Sequence, residues 1–228
     1  MTPDPATESL LKCTSFYSEL TAEQADRLRK DTIVRPFRGG AYVRQKGTTA
    51  DGWLGVAQGL IKISNTSVDG RHTTLTHFSA GCWFGEGTLL KDESWPFDAV
   101  AVVDSVVAFV PFRTFEWLLN SSVPFNRFLL NQLNARLAQF VERCEHLRLH
   151  DADHHVVHCL VEMVDPRLYP SIADNITLSQ EELARLAGVS RSVVSRVLQR
   201  LERLGLLQVD YRSIRLLDRN ALRRYSDA

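Results

Sequence analysis

What this chain has little of narrows its function before any motif is read. No apolar run reaches the roughly 20 residues needed to cross a bilayer. The opening stretch MTPDPATESLLK carries acids and prolines but no basic segment leading into an apolar one, so the expectation is a cytoplasmic protein without a secretory leader or membrane contact. Cysteines stand singly at 13, 82, 144 and 159, and no two form a C-x-x-C pair. That spacing argues against a zinc knuckle or an iron–sulfur cluster and leaves buried or free thiols. A nucleophile set beside a base, a phosphate-cradling glycine loop and a multi-histidine strand spacing are also missing, which leaves an enzyme little to work with.

Charge of one sign is lacking only on average. The 228 residues sum to zero. From Ile176 to the C-terminus, however, ten arginines face six acids, a balance of +4, and the preceding residues carry 17 basic and 21 acidic groups, a balance of −4. A basic end on an acidic body suits an anionic polymer as the partner of that end. With 44% hydrophobic and 24% charged residues, the composition is that of an ordinary globular protein, long enough for one large domain or two small ones.

Three textures follow one another along the chain. TAEQADRLRK, residues 21–30, begins with Thr21 as N-cap and Gln24 at the capping-box position and predicts a short helix. From Ile33 to about Pro111, short β-rich runs alternate with glycine turns, as in a sandwich or barrel. Asp69-Gly70, between Ile61–Ser64 and Thr73–His77, is the clearest hairpin signal. The segment after Phe84-Gly85-Glu86, residues 87–100, reads as a loop returning into a strand at Ala99–Val103. Then Leu130, Leu133, Leu137, Phe140, Cys144 and Leu147 recur at spacings of 3, 4, 3, 4 and 3. So narrow a stripe predicts one long helix, about 124–149, that pairs with its own copy in a parallel dimer. A hinge at residues 150–153 precedes a helix over Ala152–Val164, which stops ahead of Pro166; Asp165–Asn175 reads as a loop.

Residues 178–205, LSQEELARLAGVSRSVVSRVLQRLERLG, carry the function. Ser179 caps one helix, with Glu182 three residues on, and Leu183 and Leu186 give it an apolar face. Gly188 ends it, Val189 anchors the turn and Ser190 caps a second helix that buries Val193, Val194, Val197, Leu198 and Leu201. Two short helices joined by a glycine turn make a helix-turn-helix. The second helix then presents Arg191, Ser192, Ser195, Arg196, Gln199 and Arg200. An arginine fork can take both O6 and N7 of guanine, and capped helix N-termini can take phosphate. LLQVDYRSIRLLD follows as two short strands around Asp210–Ser213, a wing whose Arg212 and Arg215 are placed for phosphate contact.

β-roll, dimer helix, hinge and winged helix-turn-helix, in this order, resemble the Crp/Fnr family of bacterial transcription regulators. The most specific pieces are Gly81-x-x-Phe84-Gly85-Glu86 and Gly188-Val189-Ser190-Arg191 with Arg196. The resemblance implies an α+β chain: a double-stranded β-helix with its N-terminal helix over 1–122, a dimerisation helix and hinge over 123–150, and a winged helix-turn-helix over 151–228. It implies a homodimer on a near-palindromic double-stranded DNA operator, with RNA polymerase as a further partner of an activator. Arg191 and Arg196 would read bases and Ser179 and Ser190 would hold phosphates, with Gln180, Ser192, Ser195 and Arg200 beside them. Cyclic-nucleotide-responsive members commonly have glutamate after the first arginine; Ser192 stands there, so the half-site should differ.

The roll departs further. Members that bind cyclic nucleotides use an Arg-Ser pair for the phosphate, and counting from Gly85 those positions hold Pro96 and Phe97. Neither side chain donates a hydrogen bond, and proline has no backbone N–H. Asp98 alongside would repel the anion. The dimer-helix positions that offer hydroxyls to adenine fall near Phe140 and Val141. No cyclic-nucleotide response and no cofactor are expected. Gly85, Glu86, Trp95, Phe97 and Phe140 either line a site for an unknown apolar or uncharged effector or fill the space themselves. Iron–sulfur members need clustered N-terminal cysteines, and only Cys13 is there. His72 and His77 read as ordinary strand residues rather than haem ligands. His146, His150, His154, His155 and His158 form a histidine-rich hinge for which a solvated face, a metal and pH sensing all stay open. The alternative function is a metal-dependent β-roll enzyme with a helical oligomerisation tail.

Overall fold

The computed structural model describes residues 5–67, 69–70, 72–170, 175–210 and 213–226. The chain divides into two compact units, Met1–Asn65 with Thr76–Asn134, and Thr66–Leu75 with Ala135–Ala228.

The first unit opens with α1 (Pro5–Lys12), a 3-10 turn (Tyr17–Glu19) and α2 (Ala22–Asp31). Thr21 caps α2 as its sequence predicts: its hydroxyl accepts from Gln24 N at 3.2 Å, and Gln24 Oε1 accepts from Thr21 N at 3.1 Å. Strands β1 (Ile33–Phe37), β2 (Tyr42–Arg44), β3 (Gly52–Gln58), β4 (Leu60–Thr66), β5 (His72–Ser79) and β6 (Trp83–Phe84) come next in the chain, with Thr66 of β4 and β5 as far as Leu75 grouped with the second unit. After them run α3 (Glu86–Lys91), β7 (Asp98–Ala101), β8 (Ser105–Pro111) and α4 (Phe112–Ser121). The strands form two four-stranded sheets, ordered β1-β8-β3-β6 and β2-β7-β4-β5. Asp69 and Gly70 lie between the neighbouring strands β4 and β5, as the hairpin signal requires.

The roll's core explains why WLGV reads as a continuous apolar run rather than an alternating one. Gly52–Val56 is buried throughout, because β3 is covered on both faces. Trp53 stacks on Trp83 with centroids 4.0 Å apart, and Phe16, Phe115 and Phe125 meet Trp53 at an angle. Trp83 Nε1 donates to Thr14 Oγ1 at 2.9 Å, which satisfies that buried donor.

Several boundaries differ from the sequence reading. The segment expected to be a loop running into a strand, 87–100, begins instead as α3, a short helix held by burial of Leu89 and Thr88 although Gly87 disfavours it. The strand expected at Ala99–Val103 is Asp98–Ala101, and β8 starts only at Ser105. α1 and α4 were not anticipated; each is short and gains its stability by burying Leu10 and Leu11, or Phe115 and Leu118.

α5 (Val123–Leu149) is one helix of 27 residues. Phe125 and Leu129 near its start belong to the roll core, while Leu130, Leu137, Phe140 and Leu147 of the expected stripe are exposed and Leu133 and Cys144 half-buried.

The second unit continues with α6 (Ala152–Glu162), β9 (Asn175–Ile176), α7 (Gln180–Ala187), α8 (Arg191–Arg203), β10 (Leu207–Asp210), β11 (Ser213–Leu216) and α9 (Arg219–Ser226). α6 ends two residues short of the expected Val164. β9 joins the two wing strands in the order β10-β11-β9, a pairing that the loop reading of 165–175 missed. Leu160, Leu183, Val194, Val197, Leu201 and Leu222 fill the core of this unit.

Candidate nucleic-acid interface

The helix-turn-helix is fixed by its caps. Ser179 Oγ accepts from Glu182 N at 3.2 Å, and the Glu182 carboxylate in turn takes Arg185 at 2.8 Å. Gly188, at φ +68, turns the chain so that Val189 N returns to Ala184 O at 3.0 Å; this left-handed position favours glycine. Ser190 Oγ accepts from Val193 N at 3.4 Å and meets Ser192 Oγ at 2.8 Å. Val194, Val197, Leu198 and Leu201 form the buried stripe of α8. Val193, expected with them, is only half-buried, because it falls beside that stripe rather than on it.

The opposite face of α8 is polar. Arg191, Ser192, Arg196 and Gln199 are exposed, and Ser195 and Arg200 half-buried. Arg191 lines a groove of about 360 Å³ together with Ser179, Gln180 and the wing residues Val209, Asp210 and Ser213. Of the residues expected to meet DNA, the groove brings together Ser179, Gln180 and Arg191; Ser190 and Arg196 do not line it. Arg196 and Arg200 behave differently. Both reach back to Asp153 in the first turn of α6, an acid that the sequence reading placed only in the hinge near the histidines. No local signal identifies it, since only the tertiary fold sets α6 against α8. On the wing, the Arg215 guanidinium donates to Gln208 Oε1; Arg212 lies outside the described residues.

The hinge is a stack of rings. His146 lies 3.8 Å from His158 and 4.7 Å from His150, and His150 lies 5.3 Å from His154. Face-to-face rings do not aim their nitrogens at a common point. Among the described residues no group of three or more His, Cys, Asp or Glu side chains is disposed to hold a metal. Asp151 caps α6, accepting from Asp153 N and His154 N at 3.0 and 3.1 Å. Its carboxyl is held down to about 2, first by the hydrogen bond from the His154 ring. Burial pushes the Glu162 carboxyl upward, but His158 and Arg143 (Nη2–Oε2 2.6 Å) outweigh it and the carboxyl stays below its ordinary range. Burial raises the Cys159 thiol to about 12, so that thiol is inert packing.

In the roll, Gly85 (φ +94) starts α3 and Glu86 is buried. The space above Gly85 holds the Trp95 indole: a Cβ on residue 85 would come 2.8 Å from Trp95 Cη2. Trp95 is 4% exposed and meets Phe84 edge-on at 6.2 Å. Its backbone is pinned by Trp95 N to Thr48 O at 2.9 Å and Gly47 N to Trp95 O at 2.8 Å, and its indole Nε1 is buried with no hydrogen-bond partner among the described residues. Asp98 Oδ1 accepts from Lys46 N at 2.8 Å. Gly85, Glu86 and Trp95 therefore come together, with Phe97 turned to the surface. Phe140, in the second unit, stands 64% exposed on α5.

Two family models match. The cyclic nucleotide-binding domain covers residues 34–122, and the Crp-like helix-turn-helix domain covers 154–225. The chain belongs to the Crp/Fnr family of transcription regulators. It is 29% identical over 202 residues to the transcriptional regulator LdrP of Thermus thermophilus, covering 86% of this chain and 93% of that one. It is 28% identical over 200 residues to the cyclic AMP receptor protein of the same organism, covering 87% and 90%. The solved structure of FixK2 from Bradyrhizobium japonicum shares the fold at a TM-score of 0.73, with 24% identity over 85% of this chain and 96% of that one. As a Crp/Fnr member this is a DNA-binding transcription regulator, with a cyclic nucleotide-binding-like domain and a helix-turn-helix. These relatives are regulators and lend no support to the metal-dependent enzyme alternative. No helix among the described residues is long and apolar enough to cross a membrane.

Proposed function

We propose that this regulator works as a cytoplasmic, non-enzymatic homodimer that binds a near-palindromic operator without cyclic AMP. The outward face of α8 carries the reading: Arg191, Arg196 and short serines stand on a helix whose other face is fully packed. Arg191 and Arg196 contact base edges, Ser179, Gln180 and Ser190 contact phosphate, and Ser192, Ser195 and Arg200 adjoin them. The exposed stripe of α5 supports pairing of two copies, because Leu137, at 61% exposed, and Phe140 leave a helix face that water solvates poorly. Paired in this way, two α8 helices enter successive major grooves about 34 Å apart. The roll (1–122), the dimer helix and hinge (123–150) and the DNA-binding part (151–228) then serve as three functional segments, and RNA polymerase is the further partner at promoters the protein activates.

The roll reads as self-filled. Trp95 packs over Gly85, Pro96 and Phe97 replace the expected phosphate grip, and Asp98 is occupied with a backbone amide. A buried phosphate without a cation is strongly disfavoured, so cyclic AMP has no adequate place even though one relative bears its name. Selection from random duplex DNA by the purified, ligand-free protein tests the whole reading. A two-fold symmetric consensus is expected. Enrichment that depends on added cyclic AMP would overturn the self-filled roll, and no enrichment under any condition would overturn the base-reading assignments.

A further inference from the structure

We propose that Asp153 is a specificity-determining positioning residue of the DNA interface, holding Arg196 and Arg200 in register for base reading while cancelling part of their attraction for phosphate. The inference rests on Arg196 being a base-reading residue.

The geometry is that of a shared clamp. Asp153 Oδ1 lies 2.5 Å from Arg196 Nη2, and Oδ2 lies 3.2 Å from Arg200 Nη1. The two arginines are four residues apart and so fall on one face of α8, and a single carboxylate spans that turn. The Asp153 side chain is 16% exposed, whereas Arg196 is 64% exposed. The acid is therefore anchored in the protein and the arginine tip is offered to solvent. The Tyr225 ring centroid lies 5.6 Å from the Arg200 guanidinium carbon and steadies it.

Two consequences follow from this chemistry. A guanidinium has five N–H donors, and guanine needs two of them. Asp153 engages Arg196 through Nη2 alone, while Nε and Nη1 make no hydrogen bond to the described residues. Fixing one edge removes rotamer freedom before DNA arrives and leaves donors for a base, which is how a supporting group preorganises a recognition side chain. The second consequence is electrostatic. Arg196 and Arg200 alone would bring two positive charges to any duplex; with Asp153 the trio brings one. Sequence-independent binding depends on neutralised phosphates, whereas base reading depends on directed hydrogen bonds. The clamp therefore weakens the first and favours the second. Fold stability is served by the better-buried Arg200 side of the clamp (39% exposed); the Arg196 guanidinium, 64% exposed, adds little to it, so structural support alone does not account for the second arginine.

Asp153→Ala and Asp153→Asn in the full-length protein test this, with dissociation constants measured on the selected operator and on an unrelated duplex across a salt series. For Asp153→Ala, tighter binding to the unrelated duplex is expected, with a salt slope steeper by about one. The ratio of specific to non-specific affinity should fall roughly tenfold, within what one bidentate arginine–guanine contact contributes. Asp153→Asn should steepen the slope equally but keep part of the ratio, since its carbonyl oxygen can still accept from Arg196. In an Arg196→Ala, Arg200→Ala background, Asp153→Ala should leave the ratio unchanged. An unaltered ratio in the single Asp153→Ala variant, or equal weakening on both duplexes with a lowered thermal midpoint, would overturn the proposal. Arg196→Ala alone separates the two levels. If it relaxes one base position while Asp153→Ala relaxes none, Asp153 loses its role and the base-reading assignment stands. If Arg196→Ala relaxes nothing, the assignment falls and takes the clamp's role with it.

Discussion

Replacing Trp95 by alanine would test the self-filled roll most directly. An indole of this kind buries on the order of 200 Å², worth about 5 kcal/mol at 25 cal/mol per Å², and large-to-small replacements of tryptophan cost about 3–5 kcal/mol. Against that stands the buried Nε1–H, which lacks a partner among the described residues. Removing an unsatisfied donor returns about 1–3 kcal/mol. The expected net loss is therefore about 2 kcal/mol, the middle of a span from about 0 to 4. Urea unfolding followed by far-ultraviolet circular dichroism, at one fixed protein concentration, measures it. Free indole should then raise the midpoint of Trp95→Ala and leave the wild-type protein unmoved, since only the variant has room for it. Cyclic AMP should move neither. Failure of free indole to raise the midpoint of Trp95→Ala, or stabilisation of the wild-type protein by cyclic AMP, would refute the argument that Trp95 occupies the pocket.

Three further outcomes are expected. Leu137→Arg places a charge in the middle of the exposed α5 stripe and should shift the protein from dimer to monomer in sedimentation, with operator affinity falling in parallel. Arg191→Ala should weaken operator binding by about 1–3 kcal/mol and relax preference at one base position of each half-site, read by repeating the selection. Asp151→Ala removes the α6 cap and should cost about 1 kcal/mol of stability. Because the His154 ring holds the Asp151 carboxyl down to about 2 in the folded protein, the cap's contribution is in place above the ordinary aspartate value near 3.9. It disappears as pH falls toward about 2, and a carboxyl titration by NMR would show the depressed midpoint.

Much of this architecture is legible in sequence because it rests on local rules. Thr21 with Gln24, Ser179, Gly188 and Ser190 announce helix ends through backbone chemistry that neighbours a few residues away complete, and each does so in the structure. The elements that escaped notice depend on distant partners. α1 and α4 exist to cover the roll, and β9 has only two residues and is defined by pairing with β11. The same division runs through the site. Arg196 and Arg200 could be placed on the outer face of α8 by counting, but the acid that clamps them lies 43 residues upstream of Arg196. Trp95 could be read as lining a pocket; the approach of its ring to Gly85, on which the self-filled proposal rests, is visible only in the fold.

The tryptophans have one more consequence. All four (Trp53, Trp83, Trp95 and Trp117) fall in the first unit, and the unit that carries the helix-turn-helix has none. Intrinsic indole emission is therefore a private optical channel of the roll. The near-parallel Trp53–Trp83 pair, tilted by 19° at 4.0 Å, adds a coupled-chromophore signal that exists only while the two rings remain stacked. Indole emission reports on one half of the molecule only, so comparing its melt with that followed by far-ultraviolet circular dichroism, which senses both halves, shows without a label whether they melt together or separately.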